Sequence, residues 1–230
     1  MVASVKHSGH PKIYRGDIVA GSLLVQESRQ IARLLLSGVD DDAWHQAIVV
    51  DNVLQKRSPV TAKRQDRLIK NRLRPMSSDL LRLVERGTSD IATQALLAAA
   101  VKNSRLLGDF MDNTLREHWL TFKRELSAKD WDYYLEICAQ VDPVVTDWAE
   151  VTVKKLRQVI FRILAEAKYV DGSRSLRLLP VSIVPEVRSC LIRDSEDYVL
   201  RCMEVTQPGL SPEGGGIEEK VGCPHPERRL

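Results

Sequence analysis

The chain has 230 residues and a mass of 26.0 kDa, which suits one large domain or two small ones, each with its own hydrophobic core. Hydrophobic residues make up 43% and charged residues 28%, so the composition excludes a disordered or fibrous protein. Aromatic residues make up only 5%, which argues against a β-sandwich and against a surface that stacks single-stranded nucleic acid. The net charge of +3, taken over the whole chain, gives no sign of a polyanionic partner.

The sequence indicates a cytoplasmic protein with reduced thiols. The longest run without charge, residues 91–101, is about half as long as a membrane span. The first residues are polar and contain no apolar signal core. The four cysteines, at positions 138, 190, 202 and 223, include no CxxC pair and no spacing typical of zinc ligands, so we expect no metal site.

Proline and glycine punctuate the chain unevenly. The last 25 residues contain four prolines and five glycines, which leaves too little apolar surface to offset the entropy of ordering. We therefore predict a disordered tail over residues 206–230 and a flexible N-terminus over residues 1–16. Between them we expect two helical regions, 17–126 and 127–205, each with one helix-turn-helix unit.

The body shows the apolar spacing of helices, with capping and helix-ending residues between them. The predicted helices cover residues 23–36, 42–52, 58–74, 78–87, 89–103, 106–119, 131–139, 145–168 with a break near 150, 185–192 and 195–203. Residues 175–184 are predicted as either a short hairpin or a loop. The many alanines of residues 89–103 imply that this helix is buried against its neighbours, and the four tryptophans, Trp44 among them, are expected in the core. The expected fold class is all-α.

The densest positive charge lies in residues 56–74, which contain eight basic residues and one acid, a net charge of +7. On a helix, one stripe of this segment is basic, and a different stripe, formed by Ala62, Ile69, Leu73 and Met76, is apolar. A solvated helix face is the ordinary explanation for a charge run, but such a face usually alternates in sign. With the preceding helix and the linker 53–57, the segment forms a helix-turn-helix unit whose second helix can enter a DNA major groove. The candidate DNA contacts are Lys56, Arg57, Lys63, Arg64, Arg67, Lys70 and Arg74.

A second segment repeats the opening of the first, since Val-Thr-Ala-Lys-Arg from Val60 is matched by Val-Thr-Val-Lys-Lys from Val151. Residues 127–150 carry six acids and one lysine, a net charge of −5, and residues 151–168 carry five bases and one acid, a net charge of +4. Segregated charge suits a directional contact with a polyanion, although a short similarity between amphipathic helices also arises by chance. The candidate contacts here are Thr152, Lys154, Lys155, Gln158 and Arg162.

Thr61 and Thr152 lie in or near the first turns of their helices. A hydroxyl, free backbone N–H groups and the positive end of the helix dipole there suit a phosphate, and ordinary helix capping explains the two threonines equally well. The sequence contains no Walker loop, no GxSxG, no HExxH and no paired-carboxylate signature, so we expect no enzymatic activity and no cofactor.

Several short stretches in fixed order are similar to a known family, from about Asp17 to Val205. They are Gly21-Ser22-Leu23-Leu24 with Glu27-Ser28 and Ile31-Ala32, Asn52 to Ser58, Thr61 to Arg64, Arg72-Leu73, Asp109-Phe110, Lys155 to Val159 and Leu164 to Ala167. As an ordered set they resemble the BrxA proteins of BREX bacteriophage-exclusion systems.

The resemblance implies a small, all-helical, non-enzymatic component of a phage-defence locus. It further implies binding of double-stranded DNA through helix-turn-helix elements, and a helical bundle similar to that of the transcription antitermination factor NusB. Carried over by position, the DNA-facing residues are those of the two basic helices. The expected partners are double-stranded DNA and other BREX proteins.

The leading hypothesis is therefore a DNA-binding accessory protein of a BREX system that contacts mainly phosphates. One alternative is a scaffold whose basic faces meet acidic partner proteins. Another is an RNA-binding factor in the manner of NusB.

Overall fold

The computed structural model describes residues 13–16, 18 and 21–206. The flexibility predicted for residues 1–12 and, of the tail predicted over 206–230, residues 207–230 lie outside the described residues. Thr206, the first residue of that tail, is described, and its hydroxyl donates to the Val181 carbonyl at 3.1 Å. Residues 13–16 belong to the segment predicted to be flexible, yet they pack against the body. The side chain of Tyr14 is buried, and the backbone N–H groups of Ile13 and Tyr14 donate to Asp142 Oδ2 at 2.8 and 3.0 Å.

The described residues are mainly helical and contain no β-strand longer than an isolated bridge, so the predicted all-α fold is confirmed. The helices are α1 (Val25–Ser37), α2 (Asp41–His45), α3 (Pro59–Leu73), α4 (Ser78–Arg86), α5 (Ser89–Asn103), α6 (Arg105–Asp109), α7 (Arg116–Leu120), α8 (Ala128–Val141), α9 (Glu150–Glu166), α10 (Pro185–Arg193) and α11 (Asp197–Met203). A π-helical turn extends α2 over Gln46–Val50, and another joins α6 to α7 over Phe110–Leu115. None of the helices in this part of the chain combines the length and the apolar character that crossing a membrane requires.

Local sequence explains where the helices begin and end. Ser58 caps α3 by accepting a hydrogen bond from the backbone of Thr61, and Pro59 occupies the first helical position. Ser127 and Asp130 form a capping box at the start of α8. Gly38 ends α1 with a left-handed φ of 62°, a conformation that glycine adopts without a steric penalty.

The long stretch predicted over residues 145–168 is divided as expected near residue 150. A 3-10 helix covers Pro143–Asp147, and α9 begins at Glu150 after two non-helical residues. The break separates most of the acidic segment 127–150 from the basic helix, which keeps only Glu150 of it.

Helix α5 lies at the centre of the fold and contacts α1, α3, α4, α6, α10 and α11. Most of its residues from Ala92 to Val101 are fully buried, because its alanines let neighbouring helices approach from every side. The burial that we expect of this alanine-rich helix is confirmed. Helices α3 and α9 of the body each present a polar face outward.

A buried carboxylate ties the N-terminal segment to the last helix. Asp109 accepts hydrogen bonds from the hydroxyl groups of Tyr14 at 3.0 Å and Tyr198 at 2.8 Å, and from Arg105 Nε at 2.9 Å. Next to it, the ring of Phe110 packs edge-on against the neighbouring aromatic rings of α8. The pair Asp109-Phe110, one of the stretches shared with BrxA proteins, therefore acts inside the core.

Residues 175–184 form a loop with two isolated antiparallel bridges. Arg177 pairs with Glu125, and Leu178 pairs with Val170. The following extended stretch is held by Gln94 of α5, whose side chain donates to the Ser182 carbonyl at 3.0 Å and accepts from the backbone of residue 184 at 2.7 Å.

Replacing Gly108 should destabilise the fold. A Cβ atom at this position would lie 2.3 Å from Tyr198 Oη, so the ring would have to move and would lose its hydrogen bond to Asp109. We expect Gly108→Ala to lower the free energy of unfolding by about 1–3 kcal/mol, the usual cost of overpacking. Urea titration followed by circular dichroism measures it. Gly172→Ala is the matched control, because its added Cβ would meet only Ser175 Oγ at 3.9 Å; equal losses in the two variants would contradict the prediction.

Candidate nucleic-acid interface

Helix α3 divides its faces as its sequence predicts. The residues predicted to form its apolar stripe are all buried: Ala62, Ile69, Leu73 and Met76. Most of the basic side chains lie on the opposite side, so packing of the apolar stripe directs them toward solvent.

Five of the predicted contacts in this segment are exposed and have no carboxylate within ion-pair distance among the described residues. They are Arg57, Lys63, Arg64, Arg67 and Arg74. Lys70 is half-buried, and its ammonium lies 3.6 Å from the centroid of the Trp44 ring, where it makes a cation–π contact.

Two basic residues of the segment 56–74 interact with other parts of the protein instead of facing solvent. Lys56, predicted as a DNA contact, forms an ion pair with Glu27 of α1, and both side chains are mostly covered. Arg72 is buried and donates to the carbonyl oxygens of Gly21 at 2.9 Å and Ser22 at 2.6 Å. The net charge of +7 therefore overstates the charge that α3 presents to solvent.

A groove of about 380 Å³ runs between α2 and α3. Its α3 wall contains Lys63, Arg67, Lys70 and Arg74, and its α2 wall contains Trp44. The indole N–H of Trp44 donates to Asp66 Oδ1 at 3.1 Å. In this groove the predicted basic stripe of α3 lies beside residues of the preceding helix.

Sequence reasoning missed two members of this groove. It placed Trp44 among the core residues, and the burial of Trp44 supports this. It did not predict the cation–π contact of the Trp44 ring with Lys70 or the hydrogen bond from the indole N–H to Asp66. In the sequence, Asp66 was considered only as the single acidic residue of the basic segment. The available signal was the short connection between the two helices, because consecutive elements are usually adjacent and Trp44 then lies near α3.

The carboxyl group of Asp66 has a raised pKa. Burial is the main cause, and it is opposed by the hydrogen bond from Trp44 and by the positive charges of Lys70, Arg74 and Arg67. The groove therefore holds one half-buried negative charge beneath a set of cations, and that charge costs free energy when it is ionised.

The first turn of α3 is closed by its own side chains. The hydroxyl oxygens of Ser58 and Thr61 lie 3.0 Å apart, and Ser58 Oγ accepts from the Thr61 N–H at 3.3 Å. Thr61 thus takes part in the cap. At α9 the N-cap residue, Ala149, has no capping side chain, and Thr152 is half-buried with its N–H bonded to the Ala149 carbonyl at 2.8 Å.

Helix α9, like α3, has one buried apolar face and one exposed polar face. Leu156, Ile160, Ile163 and Leu164 are buried, and the predicted contacts Lys154, Lys155, Gln158 and Arg162 are exposed. Lys154 Nζ lies 2.6 Å from Glu150 Oε1 and lowers the pKa of that carboxyl. Because both partners are well exposed, this ion pair is weak and a stronger anion can replace it.

One short segment joins the two basic helices. Arg72 of α3 binds the carbonyl oxygens of Gly21 and Ser22, and Glu166 at the end of α9 accepts a hydrogen bond from the Leu23 N–H at 2.9 Å. We call residues 21–23 the strap. Through the strap, the C-terminal parts of α3 and α9 hold a fixed position relative to each other.

The fold and this site define a small all-α protein that presents two one-sided basic helices, one of them beside a groove. The BrxA family model matches residues 12–195 of the chain. The BREX protein BrxA of Paramagnetospirillum magneticum (strain AMB-1) is 47% identical over 193 residues, which cover 84% of this chain and 97% of that protein. The chain therefore belongs to the BrxA family.

A more distant relative agrees with this assignment, and a solved structure has the same fold. The BREX protein BrxA of Escherichia coli O9:H4 (strain HS) is 31% identical over 84% of this chain and 91% of that protein. A crystal structure of an uncharacterized protein from Magnetospirillum magneticum superposes with a TM-score of 0.77 at 45% identity, and covers 84% of this chain and 99% of that chain.

Replacing Asp66 by asparagine should not destabilise the protein at neutral pH. The folded-state pKa of Asp66 is raised, so its ionised form opposes folding once the pH exceeds the pKa of the unfolded chain. The amide keeps an acceptor for the indole N–H of Trp44. We expect the free energy of unfolding of Asp66→Asn relative to wild type to be highest near pH 7 and to decline as the pH falls toward 4.

Urea unfolding at several pH values measures this difference. Asp147→Asn, which removes an exposed carboxylate, controls for the change in net charge. An Asp66→Asn protein that is clearly less stable than wild type at pH 7 would show that the carboxylate stabilises the groove.

Proposed function

We propose that this BrxA-family protein is a non-enzymatic, double-stranded DNA-binding component of a BREX phage-defence system. In this proposal α3 and α9 contact the DNA, and most contacts go to phosphates. The family membership supports the place in a BREX system. The DNA contact is our inference from the charge and shape of the two helices.

One observation carries the proposal, namely that the exposed cations of α3 lie on one face without acidic partners. Lys63, Arg64 and Arg67 are exposed, and no carboxylate of the described chain pairs with them. A face that serves only solubility intersperses both signs, so that its cations are partly neutralised. Unpaired cations that repeat along a helix match the regular spacing of phosphates, and they release counterions on binding.

The second basic helix supports the same partner. Lys155 and Arg162 of α9 are exposed and unpaired among the described residues, and Lys154 has only a weak exposed pair. We propose that both helices, whose C-terminal parts are connected through the strap, contact one extended polyanion. We propose that α2 and α3 act as one helix-turn-helix-like unit, and that the 3-10 helix and α9 act as the second.

Reversing charge on the exposed face of α3 should abolish DNA binding without unfolding the protein. We choose Lys63→Glu, Arg64→Glu and Arg67→Glu together, and leave Lys70 in place because it packs on Trp44. The wild-type affinity for duplex DNA should fall about 10²- to 10³-fold between ~50 and ~200 mM salt if about five phosphates are neutralised. The variant should show no measurable binding at physiological salt. Fluorescence anisotropy with a labelled duplex measures both.

The matched control changes the net charge by the same amount elsewhere. Lys123, Lys129 and Arg174 are exposed and unpaired within the described chain, and they lie outside the two basic helices. Their replacement by glutamate should leave most of the affinity. Equal losses in the two triple variants would indicate attraction by overall charge only. Preferential binding of structured RNA in competition would favour the RNA-binding alternative.

A further inference from the structure

Two of the three most exposed large apolar side chains among the described residues occupy equivalent positions on the two basic helices. Val60 is 78% exposed and Val151 is 77% exposed, and only Phe122 is more exposed. Each valine is the second residue of its helix. The sequence repeat that begins at these valines is therefore matched by an equal exposure in the structure.

Both valines lie within the basic face. On α3, residues three, four and seven positions after Val60 are Lys63, Arg64 and Arg67, and these spacings place them on the same side of the helix. On α9 the corresponding residues after Val151 are Lys154, Lys155 and Gln158. Each helix thus presents one apolar group at its N-terminal end and cations along the rest of the face.

This combination restricts the ligand. The buried centre of a protein–protein interface is apolar and contains few charged residues. A single valine surrounded by cations does not provide such a centre. A polyanion that carries small apolar groups satisfies both features. The major groove of DNA provides such a group in the thymine 5-methyl, which protein side chains contact through apolar atoms, and a helix that enters this groove reads bases with its N-terminal residues.

We propose that Val60 and Val151 are specificity-determining residues that contact thymine methyl groups in the major groove. The proposal rests on the proposed DNA-binding function and adds a preference for A·T pairs at the positions beneath the two helix starts. Duplex RNA lacks the 5-methyl group and has a major groove too narrow for a helix, so the same contact discriminates against it.

The test compares two DNA duplexes that differ in one respect. The first contains thymine, and the second has uracil at every thymine position. The replacement removes only methyl groups and leaves base pairing and phosphate charge unchanged. Wild-type protein should bind the thymine duplex about fourfold more tightly for each methyl that it buries. Val60→Ser with Val151→Ser should bind the two duplexes equally, with an affinity near that of wild type for the uracil duplex.

A control variant separates this effect from a general loss of apolar surface. Leu120→Ser removes another exposed apolar side chain, on α7 and outside the two basic helices, and should keep the wild-type preference for thymine. Tight, salt-dependent binding of both duplexes with equal affinity by wild type would overturn this proposal and leave the proposed function intact. Absence of binding to either duplex would overturn both.

Discussion

The buried guanidinium of Arg72 is the interaction on which the arrangement of the basic surface depends. It belongs to the densest basic segment of the chain, yet it lies inside the protein and binds the carbonyl oxygens of Gly21 and Ser22. Two charge-assisted hydrogen bonds compensate for its loss of water. Because Arg72 faces inward, the exposed cations of α3 face outward, and because Leu23 also binds Glu166, the position of α9 follows from the same strap.

Segregation of charge between neighbouring elements distinguishes this protein from an ordinary helical bundle. A near-neutral chain contains an acidic segment that ends at Glu150, the first residue of α9, and two helices whose exposed faces are basic. Surface ion pairs contribute little to stability, so the separation of sign has little value for folding. Its consequence is an uneven electric field, positive over the exposed faces of the two helices, of the kind that raises the rate of association with an oppositely charged partner.

Much of the fold was predictable from sequence, and the site was predictable in part. Caps such as Ser58 and Ser127 and the apolar stripe of α3 are local signals, and the structure confirms them. The cation–π contact of Lys70 and the burial of Arg72 were not predictable. Each depends on a residue more than twenty positions away, and helical spacing carries no information about which distant element packs against a face.

The sequence by itself determined the all-α class, the approximate helix limits, the two repeated basic segments and the similarity to BrxA proteins, because these depend on periodicity, capping and residue order. Only the tertiary structure decided which cations remain available. It assigned Lys56 to an ion pair with Glu27, placed Asp66 under the cations of the groove, and exposed Val60 and Val151. A side chain's charge is a property of its type, whereas its availability to a ligand depends on the neighbours that folding brings to it.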